Sequence, residues 1–142
     1  MLFKIGLQTP EHKQYWHQLF YIDKRRIKQQ CMFITPEHFY NLCNMSIKGI
    51  KRQFSTHTED KARIQSLQDC VKNDELLPVP VISLVGSTKD KLTPAFFDGL
   101  HRMYLSYELY GNIRQPVIII TEADKPEQLE VVKNGTKYYH FK

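Results

Sequence analysis

The chain has 142 residues, of which 42% are hydrophobic and 25% charged, so its composition fits one soluble globular domain and excludes a disordered chain. Its net charge of +5 favours a polyanionic partner, either a nucleotide or a nucleic acid. The longest apolar run, Val117–Ile120, is far shorter than the roughly 20 residues of a membrane-spanning helix.

The N-terminal residues lack the pattern of a signal peptide, and the three cysteines are odd in number and lack CxxC spacing. We therefore expect no disulfide framework, no zinc site and no membrane association. The histidines also lack the spacing of a metal motif, so we predict no metal site. A reducing, cytoplasmic location fits these features best.

The first part of the chain is predicted to form helices around one strand. Residues 9–11 and 35–37 both read Thr-Pro-Glu, which is typical of a helix start with a capping threonine and an acid near the positive end. Helices are predicted over 10–21 and 36–44, with a strand at Cys31–Ile34. The densest basic cluster lies beside that strand and is either a nucleic-acid-binding surface or a solvated face; it comprises Lys24, Arg25, Arg26 and Lys28.

The central part is predicted to form a helix that begins with a cap at Thr56 or Thr58 and ends near Asn73. A strand follows over 77–85, where Pro80 indicates an edge strand or an irregular start. Helical spacing directs an apolar stripe toward the core and a second stripe toward one cleft. The first stripe is Ile64, Leu67 and Val71, and the second is Arg63, Ser66 and Cys70.

The last part combines short strands with two helices. The predicted elements are a polar loop over 86–91, strands over 95–97, 117–121 and 137–141, and helices over 98–110 and 126–133, with Gly111 ending the first helix. Because helices and strands alternate along the chain, we predict a compact α+β domain with a mixed sheet flanked by helices. One domain is expected over 1–142, with 1–55 as an N-terminal helical extension plus the first strand and 56–142 as the core.

The segment Phe96–Arg102 carries the strongest functional signal. It lies where an apolar stretch passes into a helix, whose first turn has unpaired N–H groups and partial positive charge. Gly99 lets a phosphate approach the backbone, while His101 and Arg102 supply donors from the same turn. The segment is therefore predicted to bind an anion, with a nucleotide as the best-fitting ligand. Asp98 at the start of the predicted helix is a candidate helix cap.

Three motifs occur in order between about Lys61 and Ile120. A helix at Arg63–Cys70 precedes the segment Leu76–Val81, in which proline leads into a strand. The third motif is Phe97–Arg102 with its helix and next strand. Together they resemble the ParB/sulfiredoxin superfamily, which implies a ParB/sulfiredoxin-like fold with N-terminal helices added.

The resemblance further implies a nucleotide cleft between the 63–70 and 98–110 helices. The residues implied to bind the nucleotide are Gly99, Leu100, His101, Arg102, Arg63, Ser66 and Cys70, with Lys89 and Lys91 closing over the phosphates from the adjoining loop. Sulfiredoxins place a nucleophilic cysteine immediately before the His-Arg pair, and this chain has Leu100 there. Sulfinic acid reductase chemistry is therefore not expected.

Three functions fit these observations. The first is a ParB-like module that binds ATP or CTP and acts with DNA or a nucleic-acid-associated partner. The second is a magnesium-dependent phosphotransferase or phosphohydrolase using Asp98, His101 and Arg102. The third is a protein-binding or inhibitory module with a vestigial nucleotide cleft. The partner expected besides nucleotide and DNA is another protein or a second copy of the chain in a homodimer. Glu59 and Asp60 can approach the cleft from a helix start, but no spacing links them to Asp98.

Overall fold

The computed structural model describes residues 2–3, 27–88, 90–91, 93–94 and 96–134. In chain order these residues form β1 (Ile27–Ile34), α1 (Pro36–Leu42), α2 (Ile47–Thr56), α3 (Thr58–Lys72), β2 (Val81–Ser83), β3 (Phe96–Asp98), α4 (Leu100–Tyr110), β4 (Gln115–Glu122) and α5 (Pro126–Asn134). The prediction of an α+β fold with a mixed sheet and flanking helices is confirmed. The helix predicted over 10–21 and the strand predicted over 137–141 lie outside the described residues.

The four strands form one mixed sheet in the order β1-β4-β2-β3. β1 and β4 run antiparallel along their full length, with Ile27 opposite Glu122 and Ile34 opposite Gln115. β2 is parallel to β4 and antiparallel to β3. Because β4 is an interior strand covered on both faces, its residues 115–121 are all buried, which explains the near-continuous apolar sequence.

The two faces of β4 enter separate apolar clusters. Val117 and Ile119 pack with buried residues of α1, α2, α4 and α5, so these four helices cover one face of the sheet. Ile118 and Ile120 pack on the other face with Val81 of β2 and nearby Val85. This alternation follows the two-residue period of a strand. Burial of each such aliphatic side chain stabilises the fold by roughly 1.5–3 kcal/mol.

Some predicted helix starts agree with the structure and others do not. The cap predicted at Thr35 is confirmed, since its Oγ1 accepts a hydrogen bond from the His38 N–H at 3.1 Å. α3 instead begins after His57, whose side chain makes no capping hydrogen bond, so the cap predicted at Thr56 or Thr58 is wrong. Thr56 is the last residue of α2, a helix that was not predicted and that Ser46 caps.

The second strand is shorter than predicted and lies inside the sheet. Only Val81–Ser83 forms β2, because Pro78 and Pro80 lack the N–H that a longer ladder requires. Of the two alternatives for Pro80, the edge position is wrong, since β2 lies between β3 and β4, and the irregular start agrees with a strand that begins only at Val81. Pro80 is tolerated there because it only accepts a hydrogen bond, from the Ile118 N–H at 2.9 Å.

Three further boundaries differ from the prediction. β1 is longer than the predicted strand and includes Lys28, while β4 begins at Gln115 and so contains Pro116. α4 begins at Leu100 rather than Asp98, because the chain turns at Gly99. Asp98 is the last residue of β3 and is therefore not a helix cap. None of the helices in the described part of the chain is long and apolar enough to cross a membrane.

A buried glutamine fixes the loop that carries the chain from β2 to β3. Gln128 is 1% exposed, and its Nε2 donates to the Ser87 carbonyl at 2.9 Å and to Glu122 Oε2 at 3.0 Å. Glu122 Oε2 also accepts from the Gly86 N–H at 3.0 Å and lies 3.3 Å from Lys125 Nζ. These bonds hold the loop against β4 and α5, so that β3 returns beside β2.

Glu122→Gln is expected to reduce the loss of unfolding free energy that occurs as the pH falls from 7 to 3. Burial alone would raise the pKa of Glu122, but hydrogen bonds from Gly86, Gln128 and Lys125 lower it overall. Its contribution is therefore fully present above the ordinary pKa of about 4.3 and is lost as pH falls through the lower folded value. Urea unfolding from pH 7 to pH 3 should show a shallower acid loss in Glu122→Gln, with about 1 kcal/mol less stability at pH 7.

The matched control is Glu59→Gln, which removes one exposed carboxylate from the first turn of α3. It should keep the wild-type dependence on pH. Identical acid slopes for the wild type and Glu122→Gln would contradict the assignment of this carboxylate.

Candidate functional site

The turn between β3 and α4 requires glycine at position 99. Gly99 has φ of +108°, and a Cβ at this position would lie 2.7 Å from Pro80 Cβ and 3.0 Å from Pro80 Cα. Gly99 is the N-cap of α4, and no side chain there caps the helix. The first-turn N–H groups of an 11-residue helix are thus free of a side-chain cap at the position where an anion binds best.

A cavity of about 330 Å³ lies beside this turn and is named here the Gly99 cavity. It is lined by Arg63 and Leu67 of α3 and by Phe97, Asp98, Gly99, Leu100, His101 and Arg102. The Gly99 cavity therefore lies between α3 and the start of α4. It combines a helix N-terminus, two arginines and three apolar side chains.

Arg102 is held on the wall of the Gly99 cavity by two contacts. Its Nη1 donates to the Pro78 carbonyl at 2.7 Å, and its Nη2 lies 3.2 Å from Asp98 Oδ2. Burial lowers the pKa of Arg102, and the adjacent Asp98 opposes that effect. Asp98 itself is 66% exposed. The guanidinium is therefore fixed in place, while its carboxylate partner lies at the rim.

His101 is fixed by contacts from two other helices. Its Nε2 lies 2.7 Å from Asp60 Oδ1 on α3, and its ring stacks on Phe54 of α2 with centroids 4.3 Å apart and an interplanar angle of 2°. Asp60 Oδ2 also accepts from Gln53 Nε2 at 3.3 Å. The hydrogen bond from His101 is the largest cause that lowers the pKa of Asp60. Asp60 is therefore an ionised partner of His101.

The structure brings together six of the residues predicted from the sequence. Asp98, Gly99, Leu100, His101, Arg102 and Arg63 all line the Gly99 cavity. Asp60, Gln53 and Phe54 were not predicted as partners of His101. Asp60 is 41 residues from His101 in the chain, and its position at a helix start was the only available signal.

Three other predicted residues lie elsewhere, and a fourth is outside the described part of the chain. Ser66 is exposed and does not line the Gly99 cavity, because Leu67 occupies the next turn of α3 on that side. Cys70 packs against the apolar cluster formed by Leu2, Phe3, Leu77 and Leu105. Lys91 is exposed in the loop and does not line the cavity, while Lys89 lies outside the described residues.

Only one member of the basic cluster can be placed. Lys28 is exposed on β1, opposite Thr121 of β4. Lys24, Arg25 and Arg26 lie outside the described residues. The surface predicted to bind nucleic acid therefore remains a prediction.

A second cavity of about 380 Å³ lies between β1, α1 and α5, beside Arg114 and Lys133. It contains none of the residues predicted to bind a nucleotide. The nearby N-terminus of α1 is capped by Thr35 and has Pro36 in its first turn, so fewer of its N–H groups are free for a ligand. The Gly99 cavity is therefore the stronger candidate for an anion site.

Within the described ranges, no group of three or more His, Cys, Asp or Glu side chains is placed to hold a metal ion.

No protein-family model, curated protein or solved structure matches this chain. The functional assignment therefore depends on the chemistry of the Gly99 cavity.

Proposed function

We propose that this chain is a nucleotide-binding module whose Gly99 cavity receives the phosphates of ATP or CTP. The observation that carries the proposal is the convergence of Arg63, Arg102 and the α4 N-terminus on one cavity. Guanidinium groups bind phosphate through paired N–H donors, and a helix N-terminus adds backbone donors and partial positive charge. The motif resemblance to the ParB/sulfiredoxin superfamily supports the same class of ligand.

The charges around the Gly99 cavity give the two arginines different roles. Arg102 is already paired with Asp98, so its charge is partly balanced before a ligand binds. Arg63 is exposed and makes no ion pair with another described residue, so it supplies the uncompensated cation. A Mg²⁺ that accompanies the nucleoside triphosphate would balance the remaining phosphate charge, and Asp98, 66% exposed at the rim, is the carboxylate that would hold it.

The volume and lining of the Gly99 cavity favour a partly enclosed ligand. About 330 Å³ is at the small end of the range for ligand sites, roughly 300–1,000 Å³. This space suits the phosphates and ribose, with the base over the rim. Leu67 and Phe97 provide apolar contact for the sugar and base.

Binding fits the geometry better than phosphoryl transfer. Asp98 is the carboxylate that the described residues place on the wall of the Gly99 cavity, but its Oδ2 is already paired with Arg102 at 3.2 Å, and no second described carboxylate lines the cavity to act with it. The positive charge of the chain supports a module that acts with DNA or a nucleic-acid-associated partner. A soluble protein partner or a second copy of the chain is the alternative.

Arg63→Ala is expected to weaken nucleotide binding without destabilising the fold. The side chain is exposed and lacks an ion pair in the described structure, so its removal should change the free energy of unfolding by less than about 0.5 kcal/mol. Loss of a charged hydrogen bond to phosphate should weaken binding by roughly tenfold. Calorimetry with Mg-ATP and Mg-CTP measures the affinity, and thermal unfolding with each nucleotide gives an independent check.

The matched control is Arg52→Ala, which removes an exposed arginine from α2 that does not line the Gly99 cavity. It should bind nucleotide as the wild type does. Equal weakening by both substitutions would indicate a general charge effect and contradict the site. Absence of nucleotide binding by the wild type would favour a module with a vestigial cleft.

A further inference from the structure

The contact between Asp60 and His101 determines which nitrogen of the histidine carries a proton. Asp60 also accepts a hydrogen bond from Gln53, and its lowered pKa keeps it ionised at neutral pH. A carboxylate only accepts hydrogen bonds, so Nε2 of His101 must be the donor across the 2.7 Å contact. Nδ1 makes no hydrogen bond with another described residue and is the ring nitrogen left for a ligand.

The ring cannot easily rotate about its Cβ–Cγ bond, a rotation that would take Nε2 away from Asp60. Phe54 stacks in parallel against His101 at 4.3 Å, and Tyr104 packs edge-on against Phe54. His101 and Asp60 are only 19% and 18% exposed. The orientation of the imidazole is thus set by residues on helices other than its own.

A neutral imidazole oriented in this way presents a lone pair from Nδ1. A lone pair repels the oxygens of a phosphate dianion, whereas an N–H on the same nitrogen donates to them. A proton from solvent on Nδ1 makes His101 a cation that donates through Nε2 to Asp60 and through Nδ1 to phosphate.

We propose that Asp60 is a positioning residue that presents Nδ1 of His101 to a nucleotide phosphate, and that phosphate binding brings a proton onto that nitrogen. This inference rests on the proposed nucleotide site. Nucleotide binding in the Gly99 cavity is then coupled to proton uptake, so the affinity falls as pH rises and protons become scarcer.

Other titratable and charged groups surround this pair. They are Arg63 on α3, His57 before α3, Asp98 on β3, Arg102 and Tyr104 on α4, and Tyr40 on α1. Burial raises the pKa of both tyrosines, so these phenols stay neutral near pH 7. His57 Nδ1 lies 3.5 Å from Asp60 Oδ2, so a histidine substitution is needed to identify which ring takes up the proton.

The test measures protons as well as affinity. Calorimetry of Mg-ATP and Mg-CTP at pH 7.5, repeated in buffers with different enthalpies of ionisation, counts the protons taken up on binding. The wild type should take up protons on binding, to a limit of about one per nucleotide, and an uptake of zero would overturn the proposal. Asp60→Asn should reduce that uptake toward zero and weaken binding about tenfold.

Two further variants complete the experiment. His101→Gln should abolish the uptake, which assigns the proton to that ring rather than to His57. Glu130→Gln removes an exposed carboxylate of α5 that does not line the Gly99 cavity and should keep the wild-type uptake and affinity. Unchanged proton uptake in Asp60→Asn or His101→Gln would overturn the proposal.

A measurement on the free protein separates this inference from the proposed function. The ring signals of His101 can be recorded in long-range ¹H–¹⁵N spectra and are assigned by their disappearance in His101→Gln. They should show a proton on Nε2 throughout the pH range. A neutral ring protonated only at Nδ1 would overturn the role of Asp60 whether or not a nucleotide binds. A protonated Nε2 with no nucleotide binding would contradict both the nucleotide site and its proton coupling.

Discussion

Gly99→Ala is expected to lower the free energy of unfolding by about 3 kcal/mol. At φ of +108° an alanine is strained by roughly 1–2 kcal/mol, as the left-handed region disfavours a Cβ. The new Cβ would also lie 2.7 Å from Pro80 Cβ, and relief of such overlap in a packed region costs roughly 1–3 kcal/mol. Because Gly99 lies so close to Pro80, this turn does not tolerate a side chain at position 99.

Gly86 provides a matched control for this effect. Its φ is +85°, and a Cβ at this position would meet nothing within 4 Å. Gly86→Ala should lose only about 1 kcal/mol. Urea unfolding of the two variants separates conformational strain from steric overlap. Equal losses in both would contradict the close approach of Gly99 to Pro80.

Arg102→Ala is expected to weaken nucleotide binding about a hundredfold and to lower stability by about 2 kcal/mol. The guanidinium is only 14% exposed and links the Pro78 carbonyl to Asp98, so its removal loses packing and two polar contacts. Binding suffers more than in Arg63→Ala, because Arg102 is already fixed and loses little side-chain entropy when phosphate binds.

Arg102→Lys distinguishes charge from geometry at this position. Lysine keeps the positive charge but cannot donate to two acceptors in the planar arrangement of a guanidinium. Its nucleotide affinity should lie between those of the wild type and Arg102→Ala. Calorimetry at a temperature well below the unfolding transition of every variant measures this order. Wild-type affinity in Arg102→Ala would contradict a phosphate contact from this side chain.

Local sequence signals predicted much of the fold and part of the site. The Thr35 cap and the apolar run of β4 each depend on residues close in the chain, and both agree with the structure. The segment Phe97–Arg102 was predictable for the same reason, since one strand end, one glycine and one helix start generate its geometry. Arg63 was placed by its motif on the neighbouring helix.

The remaining features depend on packing between distant segments. α2 was not predicted although Ile47, Ile50 and Phe54 recur at helical spacing, so a local signal was present in the sequence and was missed. Without α2 the stacking of Phe54 on His101 could not be foreseen. Ser66 and Cys70 were expected in the same cleft as Arg63, but the rotation of α3 against α4 directs Leu67 there instead.

The interior position of β2 illustrates the same limit. A proline before a strand is typical of an edge, and sequence reasoning has no means of knowing that Pro80 needs only to accept a hydrogen bond from Ile118. The Asp60 contact with His101 likewise joins residues 41 positions apart. Both arrangements are set by the sheet order and helix packing rather than by local sequence.

The most direct test of the nucleotide site is a titration of the ¹⁵N-labelled chain with Mg-ATP and Mg-CTP, followed at its backbone amides. We expect at least one nucleotide to shift the amides of Gly99, Leu100, His101 and Arg102 most strongly, because these N–H groups face the bound phosphate. Absence of shifts with both nucleotides, or shifts confined to the second cavity beside Arg114, would contradict nucleotide binding in the Gly99 cavity.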